Sequence, residues 1–258
     1  MKRLLLWLRI IRPQTLFASL VPVLVGILCV YRSGTPVAVG NPVLVAVLTA
    51  VCGLGLQILS NLINDYYDFV RGTDKAGRVG FKRALAEGEV SKREMLAGIF
   101  IDLAVCALTG LFLVFSGGWV ILGIGVSAIF FAWLYTATSH SLSYLGIADI
   151  FAFLYYGLAA SAGTAYLLTH AFVPMSFFAG AVCGLVSMCV LMINNLRDIE
   201  DDRKVGKRTL PVRFGKGVAQ GVMLVEVLLM PAFAFLAFGM SASMLIIFPA
   251  LALFHAVR

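Results

Sequence analysis

Apolar positions along this chain run in long, nearly unbroken stretches, not in the three-or-four spacing of a helix half-buried in a soluble protein. The stretches lie near residues 15–31, 43–63, 95–115, 119–136, 146–168, 175–195, 218–238 and 241–256. A bilayer-crossing helix needs about 20 mostly apolar residues, and all but the short last stretch approach that length. Backbone polar groups cannot stay unpaired in hydrocarbon, so each span is a helix or a strand of a closed barrel. Strict alternation is absent, which excludes the barrel. The pattern therefore predicts an all-α, polytopic transmembrane bundle of eight helices, forming one domain over residues 1–258. Glycine and alanine recur within the spans, as expected where helices pack closely in lipid.

Composition agrees. Apolar and aromatic residues make up 61% of the 258 positions and charged residues only 13%, with a mean hydropathy of +0.98. Soluble domains hold roughly 45–50% apolar and about 25% charged residues, so a water-soluble globule and a disordered chain are both excluded. The net charge of +7 does not indicate a nucleic-acid partner, because the basic residues cluster between spans. All of them except Arg32 fall on one side if every span crosses. The positive-inside rule then places the N-terminus and both long polar loops in the cytoplasm, with the chain in the inner membrane. No small-residue cleavage site follows the basic N-terminus, so no removable signal peptide is expected. The five cysteines lie inside apolar stretches without metal-ligand spacing, and read as small buried hydrophobes.

Nine of the thirteen carboxylates gather in or near two polar segments. One is NLINDYYDFVRGTD, residues 61–74, and the other is NNLRDIEDDRKVGKRTL, residues 194–210. At about 100° per residue, Asn61, Asp65 and Asp68 fall within about 60° of one another on a helix. Asn194, Asp198, Asp201 and Asp202 fall within about 100° in the same way, with Glu200 on the far side. Crowded carboxylates repel and take up protons unless a cation intervenes. Hard oxygen ligands of this kind suit Mg²⁺, which keeps several waters and shares substrate phosphate oxygens. Arg71, Lys75, Arg78, Arg83, Arg203, Lys204 and Lys207 stand beside the ladders as candidates for binding the outer oxygens of a diphosphate. Metal and cations together would stabilise a departing diphosphate.

At these residues the sequence resembles the UbiA superfamily of intramembrane prenyltransferases. It is closest to the branch, usually called MenA, that prenylates 1,4-dihydroxy-2-naphthoate in menaquinone synthesis. NDYYDFVRGTD (64–74) and NNLRDIEDDRKVGKRTLPVRFG (194–215) carry the likeness most specifically. LRIIRPQTLFASLVPVLVG (8–26) is similar to the family's opening helix, and YTATSHSLSYLGIADI (135–150) to its central loop, without a proline common there. Asp149 stands where the family often has Glu. The resemblance implies nine transmembrane helices around a central cavity open to the cytoplasmic side. The ninth would follow residue 258.

The resemblance also implies chemistry. Asn61, Asn64, Asp65, Asp68 and Asp74 on one side, with Asn194, Asp198, Asp201 and Asp202 on the other, are the expected metal ligands. Asp65, Asp68, Asp198, Asp202, Lys204 and Arg71 are the expected catalytic set. Asn61, Lys75, Arg78, Arg83, Arg203, Lys207, Tyr135, Tyr144 and Asp149 are expected to bind substrate. A polyprenyl diphosphate would lose its diphosphate, and the aromatic acid's ring would attack C1 of the resulting allylic cation, with loss of CO₂ in the naphthoate case. Phe151, Phe153, Tyr155 and Tyr156 are candidates to enclose and steady that cation.

Two competing readings remain at the level of sequence. One keeps the fold and changes the acceptor, for example to 4-hydroxybenzoate. The other is a cation transporter using the same carboxylates, which predicts carboxylates near the bilayer midplane. Asp102 and Glu226 lie inside spans and are functional candidates on that ground.

Overall fold

The computed structural model describes residues 2–72, 83–136 and 146–240, with the backbone alone for residues 135 and 136. The eighth expected span, 241–256, lies outside the described residues. Among those described, the chain is wholly helical: α1 (Lys2–Ile10), α2 (Pro13–Ser33), α3 (Pro42–Val70), α4 (Lys92–Thr136), α5 (Ala148–Thr169), α6 (Pro174–Arg197), α7 (Ile199–Lys204), α8 (Leu210–Phe214) and α9 (Lys216–Phe238). Six of them are long and apolar enough to cross a membrane: α2, α3, α4, α5, α6 and α9. The chain is a multi-pass membrane protein.

Local chemistry sets the helix starts. Pro opens α2, α3 and α6, where its missing N–H costs nothing. The Asn41 side chain caps α3 by accepting from the Leu44 N–H at 3.0 Å. Ser91 and Glu94 form a capping box at α4: the Ser91 N–H donates to Glu94 Oε2 at 2.7 Å, and the Glu94 N–H donates to Ser91 Oγ at 3.2 Å.

α4 carries two of the expected spans. At 1.5 Å per residue a straight helix would hold Leu96 and Trp133 about 55 Å apart. Both line one groove, together with Phe100 and Ile129, so the chain reverses inside α4. The break is Gly118, with φ 66° and ψ −154°, a conformation closed to residues bearing a Cβ. Leu113 and Ile121, on either side of it, join one apolar cluster with Val30, Val45 and Leu168. The two spans expected at 95–115 and 119–136 are therefore the two limbs of a helical hairpin, and the described residues make seven passes.

Close helix packing is concentrated between α5 and α6. The turns over Phe153–Ala159 are π-helical. A Cβ on Gly157 would come within 2.6 Å of the Gly180 carbonyl oxygen and of the Gly184 Cα, so only glycine admits this crossing. α9 packs on α6 through buried Leu185, Cys189, Met192, Met223, Val227 and Met230. A third cluster, around Leu59, Leu62, Leu85, Met95 and Ile10, ties α1, α3, the 83–91 loop and α4 together beside the first acidic motif.

Candidate active site

The last two turns of α3 place Asp65 and Asp68 deep inside the protein, 2% and 1% exposed. A carboxylate taken out of water must be paired, and both are. Arg12 NH2 donates to Asp65 Oδ1, and Arg83 NH1 lies against the same oxygen. Arg12 is the joint between α1 and α2 and has left-handed backbone, φ 55° and ψ 71°. Arg83 comes from the loop before α4. Asn61, one turn below Asp65, donates from Nδ2 to the Ile11 carbonyl oxygen at 3.2 Å and to Thr15 Oγ1 at 3.0 Å. These bonds lock the α1–α2 joint onto the acidic face of α3.

The second motif is built at the α6–α7 junction. Asp198 ends α6, with φ −95° and ψ 11°. Even so, the Asp198 N–H donates to the Asn194 carbonyl oxygen at 3.0 Å, and the Asp202 N–H to the Asp198 carbonyl oxygen at 2.8 Å. Asn194, Asp198 and Asp202 therefore stack on successive turns although the helix is interrupted. The chain then turns back at Gly206 (φ 77°): the Gly206 N–H donates to the Arg203 carbonyl oxygen, and the Lys207 N–H to that of Asp202. This helix-terminating turn needs a residue with positive φ, and it aims Lys207 back toward the acids.

Lys207 joins the two motifs. Its Nζ lies 3.5 Å from Asp68 Oδ2 and 3.9 Å from Asp202 Oδ1, and both carboxylates are buried. Acids from the α3 and the α6–α7 segments thus face one cation. The remaining expected residues divide. Asn64, Asn194, Asp198 and Arg71 are half-buried. Arg197 holds Asp198 through two bonds of 2.6 and 2.8 Å. Asp201 pairs with Lys204 at 3.1 Å, and Glu200 with Arg203 at 3.1 Å, all four at the exposed surface and apart from the buried group. Asp149 is buried at the start of α5, with Oδ1 lacking a hydrogen-bond partner among the described residues. Asp74, Lys75, Arg78, Tyr144 and the Tyr135 side chain lie outside the described residues.

Two features differ from the bare ladders the sequence suggests. The buried carboxylates do not repel one another unrelieved, because arginine and lysine stand among them. Arg12, which reads in sequence as a topology signal, is a direct partner of Asp65. Its one local clue is the Arg-Pro pair, since a residue before proline is pushed out of helical backbone.

The oxygen donors suit magnesium in one specific way. Among the described residues no three of His, Cys, Asp and Glu close on a common point. Carboxylates from two motifs instead flank a single ammonium. Magnesium is commonly held by one or two carboxylates and completed by water and substrate phosphate, not by an all-protein cage. This arrangement matches that habit.

The sequence profile of the UbiA prenyltransferase family matches residues 19–258. The chain belongs to the UbiA prenyltransferase family. This UbiA-family chain is 38% identical over 218 residues to the 1,4-dihydroxy-2-naphthoate octaprenyltransferase of Escherichia coli, covering 81% of this chain and 68% of that one. It is 34% identical over 250 residues to the Haemophilus influenzae protein of the same name, covering 94% and 79%. Its fold matches a UbiA homolog from Archaeoglobus fulgidus bound to GPP and Mg²⁺, with a TM-score of 0.72 at 21% identity, over 97% of this chain and 86% of that one. The chain is an enzyme, a prenyltransferase, and the cation-transporter reading falls away. The resemblance read from the two acidic motifs is borne out.

Proposed function

We propose that this UbiA-family enzyme transfers a polyprenyl group from polyprenyl diphosphate to 1,4-dihydroxy-2-naphthoate, with loss of CO₂, in menaquinone synthesis. The shared contact of Lys207 with Asp68 and Asp202 carries the proposal for the diphosphate end, since it draws both acidic motifs to one place. The relatives named for the naphthoate reaction support the choice of acceptor.

Asp65, Asp68, Asp198 and Asp202, with Asn61, Asn64 and Asn194, would hold magnesium, which supplies positive charge to the diphosphate oxygens as they depart. Lys207, Arg83 and Arg71 bind outer diphosphate oxygens by charge-assisted hydrogen bonds. Arg12 holds the Asp65 carboxylate in place. The C1–O bond of the allylic diphosphate breaks and its electron pair leaves with the diphosphate. The ring carbon bearing the carboxylate attacks C1 and forms the new C–C bond. The bond to the carboxylate then breaks, its electrons restore the aromatic ring, and CO₂ departs. The product is demethylmenaquinone in its reduced form. An apolar enclosure protects the allylic cation from water, and Phe131 of α4 against Phe151 and Tyr155 of α5, at ring separations of 4.4 and 5.5 Å, supplies aromatic wall. Orientation follows the basic loops, with the acidic motifs on the cytoplasmic side of the inner membrane.

The test is an assay of isolated membranes with polyprenyl diphosphate, Mg²⁺ and either the naphthoate or 4-hydroxybenzoate, read by the mass of the lipid product. A prenylated naphthoquinol lacking the carboxylate supports the proposal. Prenylated 4-hydroxybenzoate alone would replace the acceptor.

A further inference from the structure

The first helix, α1, carries two apolar stripes. At about 100° per residue, Leu6, Trp7 and Ile10 fall within about 100° of one another, and Leu4, Leu5 and Leu8 fall within about 100° on the opposite side. The inner stripe is packed: Ile10 is buried, and Leu6 and Trp7 lie against the cluster of Leu59, Leu62, Leu85 and Met95. The outer stripe is open, with Leu4, Leu5 and Leu8 65%, 59% and 42% exposed. Lys2 and Arg9 stand together along one edge between the stripes, about 20° apart. Arg9 pairs there with Glu89 of the polar loop before α4.

Three observations say what covers the leucines. The Trp7 ring rests on Gly98 of α4, where a Cβ would come within 2.8 Å of it. Gly98 is six residues into α4, about 9 Å below the polar start of that span. Interfacial helices lie at this depth, about 5–10 Å into the boundary between headgroups and acyl chains. Secondly, only Ile11 and Arg12 separate α1 from the membrane-crossing α2, so α1 is tethered at the membrane surface. Thirdly, the two helices that hold α1 turn apolar side chains outward in their first three turns, Phe17 on α2 and Ile101 on α4 among them. Lipid-facing surface therefore lies on both of its supports.

We propose that α1 is an interfacial anchor, its leucine stripe seated in the leaflet on the side of the acidic motifs and its Lys2–Arg9 edge at headgroup level. The lipid surface then forms part of the frame of the site. The Ile11 carbonyl oxygen accepts from Asn61, and Arg12 donates to Asp65. The joint that α1 seats is thus the one that grips the acidic face of α3.

The experiment places the photoreactive residue p-benzoylphenylalanine singly at Leu5, Leu8 or Glu87 of the full chain, irradiates isolated membranes and weighs the labelled peptides. Phospholipid adducts are expected at Leu5 and Leu8, and none at Glu87, which is exposed in the polar loop. Adducts at Leu5 and Leu8 to another protein or to another part of this chain, no adduct there, or equal lipid labelling at Glu87 would each overturn the proposal. Prenyl transfer in the same membranes reads the link to the acids. Leu5→Asp combined with Leu8→Asp, at exposed positions that leave the core untouched, should lower transfer with the protein still inserted. Leu5→Phe combined with Leu8→Phe, which keeps the stripe apolar, should retain it. Wild-type transfer by the aspartate variant, or equal loss in the phenylalanine variant, would refute that link.

Discussion

Asp68 on α3 and Asp202 on α7 lie against the same ammonium, that of Lys207. Both carboxylates are buried, and a buried charge is stabilised by a partner of opposite sign. Two carboxylates from separate motifs meeting at one ammonium mark the place where the two acidic segments come together.

Replacing Asp68 or Asp202 by Asn keeps shape and hydrogen bonding while removing charge. Each change should lower prenyl transfer by about 10²–10³-fold, the range for losing one preorganised electrostatic partner. Radiolabelled prenyl incorporation in membranes holding equal amounts of protein checks this. Near-normal turnover in both variants would remove the motifs from the mechanism.

Chelation should stop the reaction. Excess EDTA is expected to abolish product, and added Mg²⁺ to restore it. Persistent turnover in EDTA would exclude a metal at these carboxylates.

Lys207→Met removes the ammonium that lies against both Asp68 and Asp202. Breaking a buried ion pair from one side costs up to about 3–5 kcal/mol, less here because the ammonium is partly solvated. The variant should melt several degrees below wild type in EDTA, and Mg²⁺ should narrow that gap. A thermal shift series in detergent, with and without the ion, reads both effects.

Arg12 sets a strained backbone against a buried ion pair. Left-handed backbone costs an L-residue about 1–2 kcal/mol, which Arg12→Gly would relieve. That substitution also strips Asp65 of a partner, a larger loss. Arg12→Gly should therefore destabilise the protein and cut turnover, whereas Arg12→Lys should retain part of both. Improved stability in the glycine variant would show that the pair with Asp65 contributes little.

Gly157→Leu tests the α5–α6 crossing. A side chain there meets the Gly180 carbonyl oxygen and the Gly184 backbone, neither of which can swing aside. Overpacking of this kind costs about 1–3 kcal/mol or more. The melting temperature should fall and expression should drop. A variant as stable as wild type would mean that the helices separate at little cost.

Hydropathy alone marked seven passes within the described residues, including the two limbs of α4, because each span satisfies its backbone within itself and needs only enough apolar length. The helical period also placed Asn61, Asp65 and Asp68 on one face of α3, and the i→i+4 bonds through Asn194, Asp198 and Asp202 follow the same local rule. Sequence grouped Asp201 and Lys204 with the site, but the structure pairs them at the surface. On an uninterrupted helix Asp201 would stand about 60° and Lys204 about 120° from Asp198, whereas Asp202 would stand about 40° from it, and it is Asp202 that is buried.

The chain by itself thus determined the membrane spans, the two acidic motifs and their family, since these depend on composition and on spacing within a few turns. Tertiary structure decided which cation meets which acid: Arg12 and Arg83 on Asp65, and Lys207 between Asp68 and Asp202. It also decided that α4 folds back to wall a groove behind α3. Those contacts join residues far apart along the chain, and their geometry is set by how helices cross and where glycines let the backbone turn, which no local pattern encodes.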